Sequence, residues 1–418
     1  MRHSPDKPYL HISQLLTLLT FLSVQGANAS AKPSFHLEGY GEMLYSHFDF
    51  GPDQKSGPHG SPPDSRAIID ITRLALELEV ELLKNTELEA EVEFEHGGAG
   101  AALELEFEEF GEFEQEIEKG GEVVVEELAV ERTFSDAFRV RLGHFYVAVG
   151  HLSHHFHPTD FFGSRRSEAE TSIIPALWHE TGVEVSGTYR NWRYQLQLVN
   201  GLDATGFSSQ NWIVGGHQKR FETIQATNMA WVGRLDYQFA PHCVLGISGY
   251  RGDSADNRPK PDMEGIDAHV SIVDVHGSFD WGRVRARGLY LYGHLQNAAL
   301  VSARNRTLSN NLDVLRSPVA RAAYAAFVEV GYDVLPWLAA PSPNRLDLFI
   351  RLDAYDSMAA VPDQTFDNPR FARRVYTVGA NYNMEETVVL KADYAMRRLG
   401  AAHFNPENTL SLGLGFQF

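Results

Sequence analysis

From Thr409 to Phe418 apolar and small or polar residues take turns along the chain. Leu410, Leu412, Leu414, Phe416 and Phe418 fall on one face, and Thr409, Ser411, Gly413, Gly415 and Gln417 on the other. Side chains of a strand project to opposite sides with period two, so this segment is a strand with one greasy and one polar face. The same rhythm recurs upstream. Leu74, Leu76, Leu78, Val80 and Leu82 alternate with Arg73, Ala75, Glu77, Glu79 and Glu81. After Lys84-Asn85-Thr86 it resumes, with Leu88, Ala90, Val92 and Phe94 against Glu87, Glu89, Glu91, Glu93 and Glu95. Residue propensity favours helix in this Glu/Leu/Ala-rich stretch. A helix would scatter the leucines around its circumference, so the period decides for strands.

Followed along the chain, the pattern predicts about sixteen strands with long and short connections in alternation. Long ones are expected at Gly51 to Arg66, 97 to 121, 150 to 178, 200 to 226 and 295 to 318. Short turns are expected at Ser135-Asp136, Arg190-Asn191, Pro241 and Gly282. In the strand around Val123 to Arg132, Leu128 and Val130 are expected outside and Glu127 and Glu131 inside. A strand of about ten residues is long enough to cross a bilayer when tilted. An open sheet edge cannot survive in lipid, so the expected fold class is an all-β, closed antiparallel transmembrane β-barrel. Its long loops lie outside the cell and its short turns in the periplasm.

Composition agrees. The 418 residues include 35 Gly, 25 Phe and 16 Tyr, which suits a barrel with aromatic girdles. Beyond the N-terminal run, no apolar stretch approaches the roughly 20 residues of a membrane helix. Arg2 and Lys7 precede the apolar stretch Leu15 to Val24, and Ala27-Asn28-Ala29 offers small residues for cleavage. Residues 1–29 are therefore expected to be a signal peptide and 30–418 a barrel in the outer membrane of a Gram-negative-type bacterium. The formal charge of −19 argues against nucleic acid as a partner. The expected partners are outer-membrane lipid and small hydrophilic solutes or ions. Cys243 stands alone and can form no internal disulfide. No cofactor is implied.

Several segments resemble outer-membrane porins of the phosphate-selective porin O/P type. They are Glu38-Gly-Tyr-Gly-Glu42, Arg141-Leu-Gly-His-Phe-Tyr-Val-Ala-Val-Gly150, Val328-Glu-Val-Gly-Tyr332, Val389-Leu-Lys-Ala-Asp-Tyr394 and Leu412-Gly-Leu-Gly-Phe416. The resemblance implies a passive diffusion channel, with anion or phosphate selectivity as the narrower alternative, and a homotrimer. Val147-Ala148-Val149-Gly150 departs from the family, which often has Pro before a Phe-Gly there.

Selectivity in a pore is set by its width and by the charges at its narrowest ring. The 150 to 178 segment follows the fifth strand, and in sixteen-strand porins that loop folds inward as a constriction. It carries His151, His154, His155, His157, Asp160, Arg165 and Arg166, with the two arginines expected in a permeation ring. The histidines lack a helix fixing an i, i+4 pair, so a polar, pH-responsive loop is expected rather than a metal site. Arg283, Arg285 and Arg287 share a strand face, and arginine on the lipid face is costly, so they are expected in the lumen. With Arg139, Arg141 and Arg193 they form a basic lining facing the acidic one from Glu77 to Glu95. That lining either sets a field guiding anions or braces the wall as ion pairs. Arg251-Gly252-Asp253 is a chance tripeptide on this reading, and the absence of Gly-x-Ser-x-Gly argues against a hydrolase. The rival class is a surface-binding or adhesion barrel whose lumen is plugged by loops.

Overall fold

The alternation between Leu74 and Phe94 folds as two strands, β2 (Pro63–Leu83) and β3 (Thr86–Gly100). Leu76 lies opposite Val92 and Leu78 opposite Ala90, so the apolar side chains of both strands share one face. Asn85, at φ +59°, takes the left-handed conformation that the tight turn between them requires. Period two thus overrides helix propensity, because burial of a whole face outweighs fractions of a kcal/mol per residue.

The computed structural model describes residues 34–52, 63–100, 104–109, 112–116, 121–151, 153–219, 221–308, 316–339 and 342–418. The expected signal peptide, 1–29, lies outside the described residues. The barrel runs from β1 (Phe35–Pro52) through β2 and β3. It continues with β6 (Gly121–Ser135), β7 (Phe138–Tyr146), β8 (His179–Tyr189), β9 (Trp192–Asn200), β10 (Met229–Ala240), β11 (Cys243–Asp253), β12 (His269–Trp281) and β13 (Val284–Leu295). It ends with β14 (Ala322–Asp333), β15 (Arg345–Ala360), β16 (Ala372–Met384), β17 (Val388–Leu399) and β18 (Glu407–Gln417). These sixteen strands pair antiparallel with their sequence neighbours and close into a barrel between β1 and β18. The seam is held by reciprocal bonds between Gly39 and Phe418, 3.0 and 2.9 Å. Phe416 and Phe418 lie over Gly41 and Gly39, where any Cβ would meet the rings at 2.6 and 2.8 Å. The aromatic carboxyl end is therefore a structural closure.

Outward positions carry Leu196, Trp231, Ile247, Val275, Tyr290, Ile350 and Leu412, all exposed. An apolar belt of this extent is the surface of a transmembrane barrel rather than of a water-soluble one.

One expectation is corrected, and two segments gain detail. The loop expected from Gly51 to Arg66 is shorter, because β1 reaches Pro52 and β2 begins at Pro63. The 97 to 121 connection contains the end of β3 and a separate two-stranded sheet, β4 (Glu104–Glu109) with β5 (Glu112–Glu116). In β6 a bulge shifts the register between Glu91/Glu127 and Val92/Val125, so Glu126 and Glu127 both turn inward. Glu126 is buried there while Leu128 is exposed, so the expected facing of Leu128 holds.

The inner face is not polar throughout. On β10, β12, β13 and β14 it is charged near the short turns and apolar near the long connections. Arg234 and Asp236 give way to Val232 and Ala230, Asp274 to Ile272 and Val270, Arg287 to Leu289 and Leu291, and Glu329 to Phe327 and Ala325. Long connections fold over these positions. Trp178, Leu202, Phe207, Trp212, Ile213, Met263 and Val301 join them in one buried apolar cluster inside the wall. The lumen is filled on this side by a packed core.

Candidate pore constriction

The segment between β7 and β8 leaves the wall through Val147, Ala148 and Val149, all buried. It returns through Ile173, Ile174 and Trp178, and the Val147 N–H closes the loop on the Trp178 carbonyl at 2.7 Å. The apolar stem roots it in the lumenal core. Gly150, at φ +71°, turns the chain across the barrel. Its N–H donates to Ser248 Oγ at 3.3 Å and Asp274 Oδ2 at 3.2 Å, and its carbonyl accepts from Arg234 at 2.5 Å.

From there the loop crosses to the far wall. Phe156 packs beside Tyr40 and Tyr146, with ring centroids 5.7 and 5.3 Å away. Asp160 Oδ2 accepts from the His157 N–H at 3.1 Å and ties a turn. The Phe161 carbonyl accepts from Asn381 at 3.1 Å and from the Lys391 ammonium at 3.3 Å. Phe162 stacks on Phe349 at 5.2 Å, and Arg351 Nη1 donates to the carbonyls of Phe162 and Arg165 at 2.8 and 2.9 Å. Gly163 and Ser164 N–H groups reach Asn381 at 3.2 Å and Asp393 at 2.6 Å. The short helix Glu168–Thr171 presents Glu168 to Arg397 and to the Tyr355 hydroxyl, which donates at 2.7 Å. The loop therefore lies inside the barrel, held from β9 round to β18.

Glycines make room for it. A Cβ at Gly331 would stand 2.1 Å from Phe162, and one at Gly415 would stand 2.4 Å from Pro158. The small face of the last strand is thus a seat for the loop as well as a lumenal surface.

The histidines diverge rather than gather. His151 is buried, donates from Nε2 to the Gly288 carbonyl at 2.9 Å, and lies against His155 and His276. His154 meets Gln195 at 2.7 Å, and His157 meets Glu77 at 3.4 Å. Among the described residues one group has metal-ligand spacing, Asp253, Asp267 and His269 at the long-connection rim, all outside this loop. Asp253 Oδ1 accepts from the Ala255 and Ala268 N–H groups, so the Arg251-Gly252-Asp253 carboxylate is occupied in shaping its own loop.

Of the arginines, Arg285 pairs with Asp347 at 2.6 Å and Arg287 with Glu329 at 2.8 Å. Arg283 sits in the turn before β13, its guanidinium 5.5 Å over the Trp337 ring at the rim. Arg165 lies over Phe48, and Arg166 lies over Phe161 and donates to the Phe156 carbonyl. Arg141 bridges to Glu89, to Glu127 at 2.7 Å and to Glu131 at 3.4 Å, while Arg139 stands 3.9 Å from Glu131. Arg139, Arg141, Arg285 and Arg287 are thus matched by carboxylates one or two strands away along the same wall. Arg139, Arg141 and Arg193 line a cavity of about 390 Å³ between the loop and the acidic wall, with Glu77, Glu91, Glu127, Glu131, Glu184 and His154.

Burial holds His151 well below the usual imidazole range and pushes His154 down to about 3 and His155 to about 4, aided by Arg234 and Arg287 nearby. Burial also lifts Glu170 to about 7. His157 is raised, the Glu77 hydrogen bond and neighbouring carboxylates outweighing its burial. Below the ordinary imidazole value a released loop binds three protons that the docked loop refuses at His151, His154 and His155. Glu170 and His157 act the other way but offset only part of this. Docking is therefore strongest above about pH 6.5 and weakens as pH falls toward 4. Limited proteolysis across 150–178 at stepped pH should show faster cleavage with acid, and His154→Asn with His155→Asn should flatten the trend. Equal cleavage rates from pH 7.5 to about 4.5 would contradict this linkage.

No family model matches the chain. An uncharacterized protein of Aquifex aeolicus (strain VF5) is 23% identical over 370 residues, covering 87% of this chain and 76% of the relative. Among solved structures, OmpF of Salmonella typhi in complex with daunomycin aligns over 92% of this chain and 97% of its own, with TM-score 0.53 and 10% identity. The outer membrane channel DcaP of Acinetobacter baumannii aligns over 94% and 100%, with TM-score 0.51 and 12% identity. At these identities the likeness is one of fold, the porin-type barrel.

Proposed function

We propose that this chain is an outer-membrane channel through which small hydrophilic solutes or ions diffuse passively, exported after cleavage behind Ala29. The observation that carries the reading is the loop 150–178 anchored across the lumen beside a polar cavity, in a barrel girdled by apolar side chains. The apolar core occupies the β10–β14 side, so the route runs off-centre, along the carboxylates of β2, β3 and β6.

Five glutamates against three arginines around that cavity favour cations. Phosphate selectivity finds less support, since Arg285 and Arg287 are already paired with carboxylates. In planar bilayers with asymmetric KCl the reversal potential should report potassium more permeant than chloride; a chloride preference would refute the cation reading. The extent of the lumenal apolar core favours a second reading, a plugged barrel that binds partners at its surface. A barrel that inserts and never conducts would support that one.

A further inference from the structure

The acidic wall contains an arrangement that a passive lining does not need. Glu77 on β2 stands directly opposite Glu91 on β3, and Glu91 directly opposite Glu127 on β6. All three line the cavity. Like charges facing each other across strands destabilise a sheet unless a cation lies between them. Glu127 has Arg141 at 2.7 Å, and Glu77 has His157 at 3.4 Å. Glu91, 2% exposed, accepts hydrogen bonds from Tyr146 at 2.6 Å and Tyr40 at 3.1 Å and, among the described residues, forms no ion pair. The middle carboxyl of the row thus has hydroxyl partners and no counter-charge.

Aromatic rings line the cavity beside the carboxylates, together with Arg139, Arg141 and Arg193. Phe156, carried by the loop, and Tyr146 both line it, with centroids 5.3 Å apart. The Tyr146 hydroxyl lies 2.6 Å from Glu91 and 2.7 Å from Glu126 and donates its single proton to one of them at a time. Carboxylates beside π-faces are complementary to a charged nitrogen carrying an apolar group. A hydrated metal ion would gain little from the rings, and the five carboxylates outnumber the three arginines of the lining, which disfavours an anion.

We propose that this cavity is a subsite for small organic ammonium ions, the nitrogen held between Glu77 and Glu91 and the apolar part against Phe156 and Tyr146. It deepens the channel reading and rests on it for the route by which the solute arrives. Sited under the loop, it would concentrate such solutes at the narrowest part of the path.

The test is calorimetric titration of the purified, folded full chain with benzylammonium chloride, with neutral benzyl alcohol as the shape control. Saturable binding of the cation and none of the alcohol is expected. Glu77→Gln and Phe156→Leu should each weaken binding about tenfold, from loss of a charge-assisted hydrogen bond or a cation–π contact. Should Phe156→Leu fail to fold, Glu77→Gln with the alcohol control carries the test alone. No heat with benzylammonium, equal binding of the alcohol, or unchanged affinity in Glu77→Gln overturns the subsite. Binding by a barrel that is silent in bilayers keeps the subsite and removes the channel. Conductance without binding does the reverse.

Discussion

Removal of residues 153–170 should raise single-channel conductance several-fold while leaving the barrel folded. The segment spans the lumen from Gln195 to Asp393 and holds Phe156, Phe161 and Phe162 inside the wall. The strands do not depend on it for their ladders, which are complete from β1 to β18. Its removal exposes to water inward charges that can then hydrate, so the cost to the barrel is modest. Planar-bilayer recording of the refolded deletion, beside the wild type, measures the effect. Equal conductance from a folded deletion would mean that the loop does not limit the path.

Arg351→Ala should be the most damaging single substitution at the constriction, at about 3–5 kcal/mol, because it leaves the buried Asp353 carboxylate without its cation. Arg351 is 4% exposed and lies 3.3 Å from Asp353 and 3.7 Å from Glu329, whose side chains are fully buried. The same guanidinium satisfies the carbonyls of Phe162 and Arg165. Losing it frees the loop and leaves Asp353 without a cation, while Glu329 keeps only Arg287. The expected result is a lowered thermal midpoint and rapid proteolysis within 150–178. Arg351→Met combined with Glu329→Gln and Asp353→Asn should recover part of the loss, since it removes the stranded charge too. A single variant as stable as the wild type would show that the loop is held by its apolar stem alone.

The barrel was legible in the sequence because burial of one face imposes a period that short-range propensity cannot hide. Leu74 to Phe94 is the clearest case: the composition is that of a helix and the spacing that of two strands. The inward course of the loop was expected from its place after the fifth strand and the family resemblance. Its own residues announce it less directly, through apolar flanks at Val147–Val149 and Ile173–Ile174. Glycines 331, 413 and 415 on inward faces were a further sign, since a lumenal position needs no glycine unless something approaches it closely.

What stayed hidden depended on contacts between segments far apart in sequence. Val270 and Ile272 alternate with Val273 and Val275, so β12 is apolar on both faces near its start. Only the folded loops reveal that the inner set meets Trp212 and its neighbours rather than water. The bulge at Glu126 breaks the period by one residue, which no pattern rule anticipates. Arg141 does pair with Glu89 of the acidic stretch, whereas Arg285 and Arg287 answer carboxylates on β15 and β14, and Arg283 belongs to the rim rather than the lumen. Side-chain reach along a wall is short, so neighbours neutralise one another before an opposite wall can.

The proposed path is open but off-centre, through a lumen narrowed by loop 150–178. Insertion of the purified full-length protein into a planar bilayer tests it most directly. Discrete, voltage-stable steps of low conductance are predicted, and a bilayer that stays silent despite demonstrated insertion of folded barrels would contradict the claim.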